Sequence, residues 1–211
     1  GISLNPHNKQ NLFDQLRIKN DINHIVLDIR NKEELKKQIQ TINPDIVFHL
    51  AAQPLVVNSY KDPVGTWETN VMGTINVLES IRSLNKNCTG IFITTDKVYK
   101  NNEWVFGYRE NDELGGYDPY SSSKAACEIA ISSWRSSFDL CQSNNNSNFS
   151  IASARAGNVI GGGDWSENRI IPDVVRCLIN NEKILIRNPK STRPWQHVLE
   201  PLSGYLILAE K

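Results

Sequence analysis

Short apolar runs alternate along this chain with longer segments of helical period. His24-Ile25-Val26-Leu27-Asp28 is short and β-branched and reads as a strand. Asn31 then precedes KEELKKQIQTI, where Leu35, Ile39 and Ile42 recur on one helical face, and Asn43-Pro44 breaks the pattern. Asp45 to Leu50 (DIVFHL) is a nearly continuous apolar run of strand length, as expected for a strand covered on both faces. Asp62-Pro63 predicts the start of a long helix, since Asp accepts from free N–H groups and Pro suits the first helical position. Val71, Ile75, Leu78 and Ile81 mark its expected inner face. Residues 90–94 (GIFIT) form the next predicted strand, and Asp118-Pro119 opens another helix. A polar run at 142–148, QSNNNSN, closes that unit, and Ser150 to Ala154 is again strand-like. Pro172 and Pro201 are expected in the first turns of two further helices.

Strands alternating with helices predict an α/β protein: a doubly wound, Rossmann-like parallel sheet with helices on both faces. Such sheets bind ligands at the carboxyl ends of their strands. Three predicted strand ends carry Asp28, then Ala51-Ala52-Gln53, then Thr94 to Tyr99. The Gly-rich turn after the first strand of such folds is not found. Gly1 to Pro6 reads as the end of a second strand, and Gly161-Gly162-Gly163 follows no strand that would make it a substitute. The chain is therefore expected to be a piece of a longer protein, without the first strand and its Gly-rich turn.

Composition adds bounds. A length of 211 residues allows one substantial core. Lys and Arg together number 23, as do Asp and Glu, so no nucleic-acid or membrane surface is expected. No apolar run is long enough to span a bilayer. Cys88, Cys127, Cys141 and Cys177 lie far apart without a CxxC, which suggests neither a zinc site nor a redox pair. Reduced thiols fit a cytoplasmic protein, in which the sequon Asn145-Asn146-Ser147 is coincidental. His49 and His197 have no metal-ligand spacing and read as structural.

The chemistry concentrates in two stretches. Ile93-Thr94-Thr95-Asp96-Lys97-Val98-Tyr99 places a hydroxyl, a carboxylate and an ammonium side by side at a strand end. Tyr120-Ser121-Ser122-Ser123-Lys124 places Tyr and Lys four residues apart, on one helical face. A free phenol is a poor base at neutral pH, and a neighbouring ammonium would favour the phenolate. The pair could then take a proton from an alcohol while hydride leaves the same carbon. Asp28 could accept from an adenosine moiety or cap the KEELKKQ helix, and the sequence leaves both open. Ala51 and Ala52 would let a backbone approach a pyrophosphate or ribose, or would simply pack tightly.

HLAAQ, TNVMGTINVLE, TTDKVY, YSSSK and ARAGNVIGGGDW together resemble the extended short-chain dehydrogenase/reductase family, in its nucleotide-sugar epimerase/dehydratase group. TTDKVYKNNEWVFGYREND, GNVIGGGDW and RPWQHVLEPLSGYL are similar to its 4,6-dehydratases, and Lys97, where relatives acting on dTDP-glucose carry Glu, implies CDP-glucose as substrate. The resemblance implies NAD as cofactor, held by Asp28, Ile29, Ala51, Ala52, Gln53, Tyr120 and Lys124. It implies C4 oxidation, loss of water across C5 and C6, and hydride return to C6. Tyr120 would deprotonate the C4 hydroxyl, with Lys124 orienting it and Thr95 hydrogen-bonded to that hydroxyl. Asp96 would protonate the departing C6 hydroxyl, and Lys97 would take the C5 proton. Gln53, Thr95, Asn158, Arg169 and Arg193 would contact substrate, whereas Arg155 could equally be a strand-end salt-bridge partner. Residues 1–160 would be part of the NAD-binding domain, and 161–211 part of a small C-terminal nucleotide-sugar-binding region. A homodimer is also implied. A related epimerase, which would not need Asp96 and Lys97, and a non-catalytic remnant are the alternative expectations.

Overall fold

The computed structural model describes residues 1–6, 11–139 and 149–211. The predicted polar loop at 142–148, the sequon and Cys141 lie outside the described residues. Elements in chain order are β1 (Ile2–Ser3), α1 (Leu12–Gln15), β2 (Ile25–Val26), α2 (Lys32–Ile42), β3 (Ile46–His49), α3 (Val56–Lys61), α4 (Pro63–Trp67) and α5 (Gly73–Arg82). They continue with β4 (Cys88–Ile93), α6 (Pro119–Trp134), β5 (Phe149–Ala154), β6 (Asn158–Ile160), α7 (Ile170–Ile179), β7 (Trp195–His197) and α8 (Leu199–Glu210). All ladders among these strands are parallel: β1 with β2, β3 with β4 and β4 with β5, and β6 with β7. The expected α/β parallel architecture is thus present, with its strands hydrogen-bonded as three sheets.

Local chemistry sets the helix starts. Asn31 caps α2 by accepting from the Glu34 N–H, and Asp62 caps α4 by accepting from Gly65. Asp118 forms a reciprocal capping box with Ser121, and Pro119 follows at the first position of α6. Asn31, rather than Asp28, caps α2, which removes one of the two roles open to Asp28.

The core gathers Leu35 and Ile39 from α2, Val77, Leu78 and Ile81 from α5, Phe92 from β4, Cys127 and Ile131 from α6 and Ile151 from β5. Each large aliphatic side chain fully removed from water contributes about 1.5–3 kcal/mol. Four expectations need correcting, the first being that no strand precedes Gly161-Gly162-Gly163, since β6 ends directly before it. Ile42, the last residue of α2, is half-exposed, and Val77 rather than Ile75 is buried. The helix predicted to run on from Asp62 is divided: a π-helical turn, Glu68–Met72, separates α4 from α5. Asn70 in that widened turn is almost fully buried and bonds outside the helix. Its side chain accepts from the Gln53 N–H at 2.8 Å and donates to the Gln53 carbonyl at 3.2 Å and to Ser123 Oγ at 2.9 Å. This one side chain holds the loop after β3 against α6.

Candidate active site

The segment after β4 is hung on the segment after β5. The Thr94 N–H donates to the Ala154 carbonyl at 2.9 Å, and the Asp96 N–H to the Ala156 carbonyl at 3.1 Å. Beyond it Asp96–Val98 makes a 3-10 turn whose cap is Thr95. Thr95 Oγ1 donates to Asp96 Oδ1 at 3.1 Å, and the same hydroxyl lies near enough to the Tyr120 phenol to favour its ionised form. Lys97 Nζ lies 4.0 Å from Asp96 Oδ1. Thr95, Asp96 and Lys97, with the Tyr120 phenol beside them, therefore form one polar series.

Tyr120 and Lys124 sit in the first two turns of α6, both buried. Four-residue spacing suggested that the ammonium would serve the phenol. In the structure Lys124 Nζ donates to the Ile93 carbonyl at 3.1 Å, at the last residue of β4. Burial pushes the Tyr120 phenol above its ordinary value, the Thr95 hydrogen bond and the Arg169 charge oppose that shift, and Asp96 and Asp118 reinforce it. Burial also lowers the Lys124 ammonium, against the pull of Cys127 and Glu128.

The other predicted residues divide into groups. Asp28 is gripped by the Arg30 fork, with Nη2 at 2.7 Å and Nε at 3.0 Å from Oδ2, and that hydrogen bonding holds its carboxyl below the usual range despite partial burial. Ile29 turns its side chain into the core, and its carbonyl accepts from Asn76 at 3.0 Å. Ala51 and Ala52 follow β3, and Ala51 packs against the core. The Gln53 amide is engaged at both ends, donating to Thr66 at 2.9 Å and accepting from the Leu55 N–H at 2.7 Å, so it braces its own turn. Asn158 begins β6, and its Oδ1 is buried without a partner. Its N–H donates to the Pro194 carbonyl at 3.0 Å, which brings Asn158 beside exposed Arg193. Arg193 bonds the Thr192 carbonyl at 2.7 Å. Arg169 pairs with Asp164 at 2.9 Å while its charge acts on Tyr120.

Sequence reading missed the polar cluster beneath this series. Glu128, one turn beyond Lys124, accepts from Thr94, from Ser153 at 2.9 Å and from Arg155 at 3.0 Å. Burial would raise its carboxyl, but these bonds and the Arg155 charge outweigh that and leave it lowered. Arg155 is thus a salt-bridge partner, as one of its two readings had it. The spacing of Glu128 from Tyr120 and Lys124, eight and four residues, was the available signal.

Comparison with known proteins follows this geometry. Residues 3–210 match the family model described as GDP-mannose 4,6 dehydratase. The chain is 48% identical to CDP-glucose 4,6-dehydratase of Salmonella typhimurium over all 211 residues, which is 59% of that protein. It is 31% identical to dTDP-D-glucose 4,6-dehydratase of Dictyostelium discoideum over 87% of this chain and 42% of that one. Among solved structures, a dTDP-glucose 4,6-dehydratase double mutant from Streptomyces venezuelae, with NAD and DAU bound, superposes with a TM-score of 0.80. That match has 22% identity and covers 94% of this chain and 59% of the other. The chain spans well under two thirds of the length of these two curated relatives.

Proposed function

The chain belongs to the GDP-mannose 4,6 dehydratase family, and we propose that it carries the reaction centre of an NAD-dependent nucleotide-sugar 4,6-dehydratase that converts CDP-glucose to CDP-4-keto-6-deoxyglucose. The observation that carries this reading is the hydrogen bond from Thr95 to Asp96, with Lys97 Nζ 4.0 Å from that carboxylate and the Tyr120 phenol within the reach of both Thr95 and Asp96. A simple oxidoreductase needs only the phenol and its hydroxyl partner. A dehydratase also needs an acid for the leaving C6 hydroxyl and a base for the C5 proton, and Asp96 and Lys97 stand beside Thr95 to supply them.

The donor set suits a dinucleotide. An ammonium has three N–H groups, and Lys124 commits one to the Ile93 carbonyl, leaving two for a ribose diol. Tyr120, Asp28, Ile29, Ala51, Ala52 and Gln53 complete the residues assigned to NAD, with Asp28 sharing its oxygens between Arg30 and a ribose. Bound NAD would supply an acceptor for the C4 hydride and return it at C6. Tyr120 takes the C4 hydroxyl proton, and Thr95 holds the same oxygen. The C4 ketone acidifies C5. Lys97 removes that proton as Asp96 gives one to the C6 oxygen, so that water leaves, and Lys97 gives its proton back to C5 once C6 is reduced. Lys97 is two-fifths exposed, so its amine is open to a bound sugar. Asn158, Arg169, Arg193 and Gln53 are assigned to the substrate, with the arginine forks suited to its diphosphate. Residues 161–211 would contribute the nucleotide side, interleaved with the 1–160 unit.

The reading extends to assembly. Val64, Trp67 and Met72, on α4 and the π turn, and Ile129 on α6 are exposed apolar residues, and α4 packs on α6. This supports a homodimer through these helices. Among the described residues no helix is long and apolar enough to cross a membrane, and a cytoplasmic enzyme fits the proposed substrate. The test is product formation by the full-length protein given NAD with CDP-glucose or dTDP-glucose. A 4-keto-6-deoxy product from CDP-glucose alone is expected. Turnover of dTDP-glucose instead would refute the sugar assignment, and C4 epimerisation without loss of water would refute the dehydratase.

A further inference from the structure

We infer that Arg155 is a positioning residue whose guanidinium clamps the loop after the 3-10 turn onto α6 and, through Glu128, fixes the strand end on which Thr95 and Asp96 stand. Arg155 directly follows β5. Its Nη2 pairs with Glu128 Oε2 at 3.0 Å, and the two side chains are only 16% and 4% exposed. Its Nη1 donates to the Glu110 carbonyl at 3.0 Å. The guanidinium carbon lies 4.9 Å from the centroid of the Tyr99 ring, and Tyr99 stacks on Tyr108 at 5.0 Å. One planar group thus meets α6, the far end of the loop and the aromatic pair between them. A fork with five donors can do this, whereas a lysine presents one compact charge.

The same residue controls the strand end from two sides. The backbone on either side of Arg155 holds Thr94 and Asp96, through the carbonyls of Ala154 and Ala156. Its side chain holds Glu128, which in turn accepts from the Thr94 hydroxyl. Thr94 and Asp96 bracket Thr95, whose hydroxyl bonds Asp96 and acts on the Tyr120 phenol. Misplacing reacting groups by about 1 Å can cost on the order of 100-fold in rate. Glu128 and Arg155 hydrogen-bond to neither Tyr120 nor Asp96, and their bonded route to the series runs through the Thr94 hydroxyl.

The test compares Arg155→Met and Arg155→Lys with the parent sequence in the full-length protein, first by amide hydrogen exchange. In Arg155→Met the Asp96 amide and the amides of residues 99–112 should exchange about 10-fold faster or more, with α2 unchanged. In Arg155→Lys the Asp96 amide should stay slow, because Glu128 keeps a counter-charge, while the 99–112 amides are fast. Should Arg155→Met not fold, the lysine variant alone carries the test. Uniformly faster exchange would make Arg155 a general stability residue and overturn the inference, and so would complete protection of the loop by lysine. A kinetic arm rests on the proposed dehydratase reading. There Arg155→Met should lower kcat about 10-fold or more with KM within about 3-fold, NADH should accumulate because elimination lags oxidation, and Arg155→Lys should recover most of the lost kcat. A methionine variant with unchanged kcat, or with all steps slowed equally, or a folded lysine variant as slow as the methionine one, would overturn the positioning role. If the parent protein makes no product, the dehydratase reading fails, and the exchange result still decides the clamp.

Discussion

Acidification from pH 6.5 to about pH 5 should weaken the fold through one side chain, His49. The imidazole is buried in β3, its Nε2 3.1 Å from Thr74 Oγ1 and its ring edge-on to Phe92 at 5.5 Å. Burial, helped by the Lys124 charge, pushes its pKa down from 6.5 to about 3. Between those values the unfolded chain binds a proton that the folded chain refuses. The contribution is therefore complete above pH 6.5 and is lost as pH falls toward 3. The limiting slope is about 1.4 kcal/mol per pH unit. With partial protonation near the unfolded pKa included, the loss between pH 6.5 and 5 is about 1.6 kcal/mol. The carboxylates held low, Asp28, Asp45, Glu79, Glu128 and Asp164, enter at more acid pH and leave this window to His49. Urea unfolding at several pH values, with His49→Gln as the non-ionising reference, measures the difference. The parent chain should lose about 1.6 kcal/mol more than the variant, or about 3–6 °C in melting temperature. Parallel stability curves between pH 6.5 and 5 would refute a buried neutral imidazole.

Four other substitutions test separate parts of the structure. Asn70→Ala removes three hydrogen bonds and leaves the Gln53 N–H and carbonyl unmatched, so chemical denaturation should register a loss of about 3 kcal/mol; a loss below about 1 kcal/mol would mean that Asn70 is not the tie between β3 and α6. Gly116→Ala would place a Cβ 2.2 Å from the Ser122 nitrogen and 2.4 Å from the Ser121 carbonyl carbon. The start of α6 must then move, at a cost of about 3 kcal/mol, and an unchanged melting temperature would contradict that close approach. Under the dehydratase reading, Lys97→Ala in the full-length protein should permit C4 oxidation yet stall elimination; solvent deuterium entering C5 at an undiminished rate would exclude Lys97 as the base. Tyr120→Phe should abolish NADH formation on sugar addition, and an unaltered rate would remove Tyr120 from the first proton transfer.

Much of this protein is legible within windows of a few residues. Asn31, Asp62 and Asp118 announce three helices because a cap and the N–H it serves are two or three residues apart. The strands around Val47, Phe92 and Ile151 are readable because an apolar run of strand length needs cover on both faces. ITTDKVY and YSSSK carry the candidate reaction centre in two short strings, with Thr95, Asp96 and Lys97 adjacent and Tyr120 and Lys124 one turn apart. Local pattern does not specify which distant group each side chain meets. Lys124 turns to the carbonyl of Ile93, 31 residues away, and Asn70 reaches Ser123, 53 residues away. Glu128 gathers Thr94, Ser153 and Arg155 from 34, 25 and 27 residues away. Helical spacing could place Glu128 on the Tyr120–Lys124 face, but only the packing of α6 against the ends of β4 and β5 makes it the base of a buried network. Periodicity says which face of an element is covered; the partner of each buried polar group depends on where the chain returns, because burial obliges such a group to bond with whatever the fold has brought beside it.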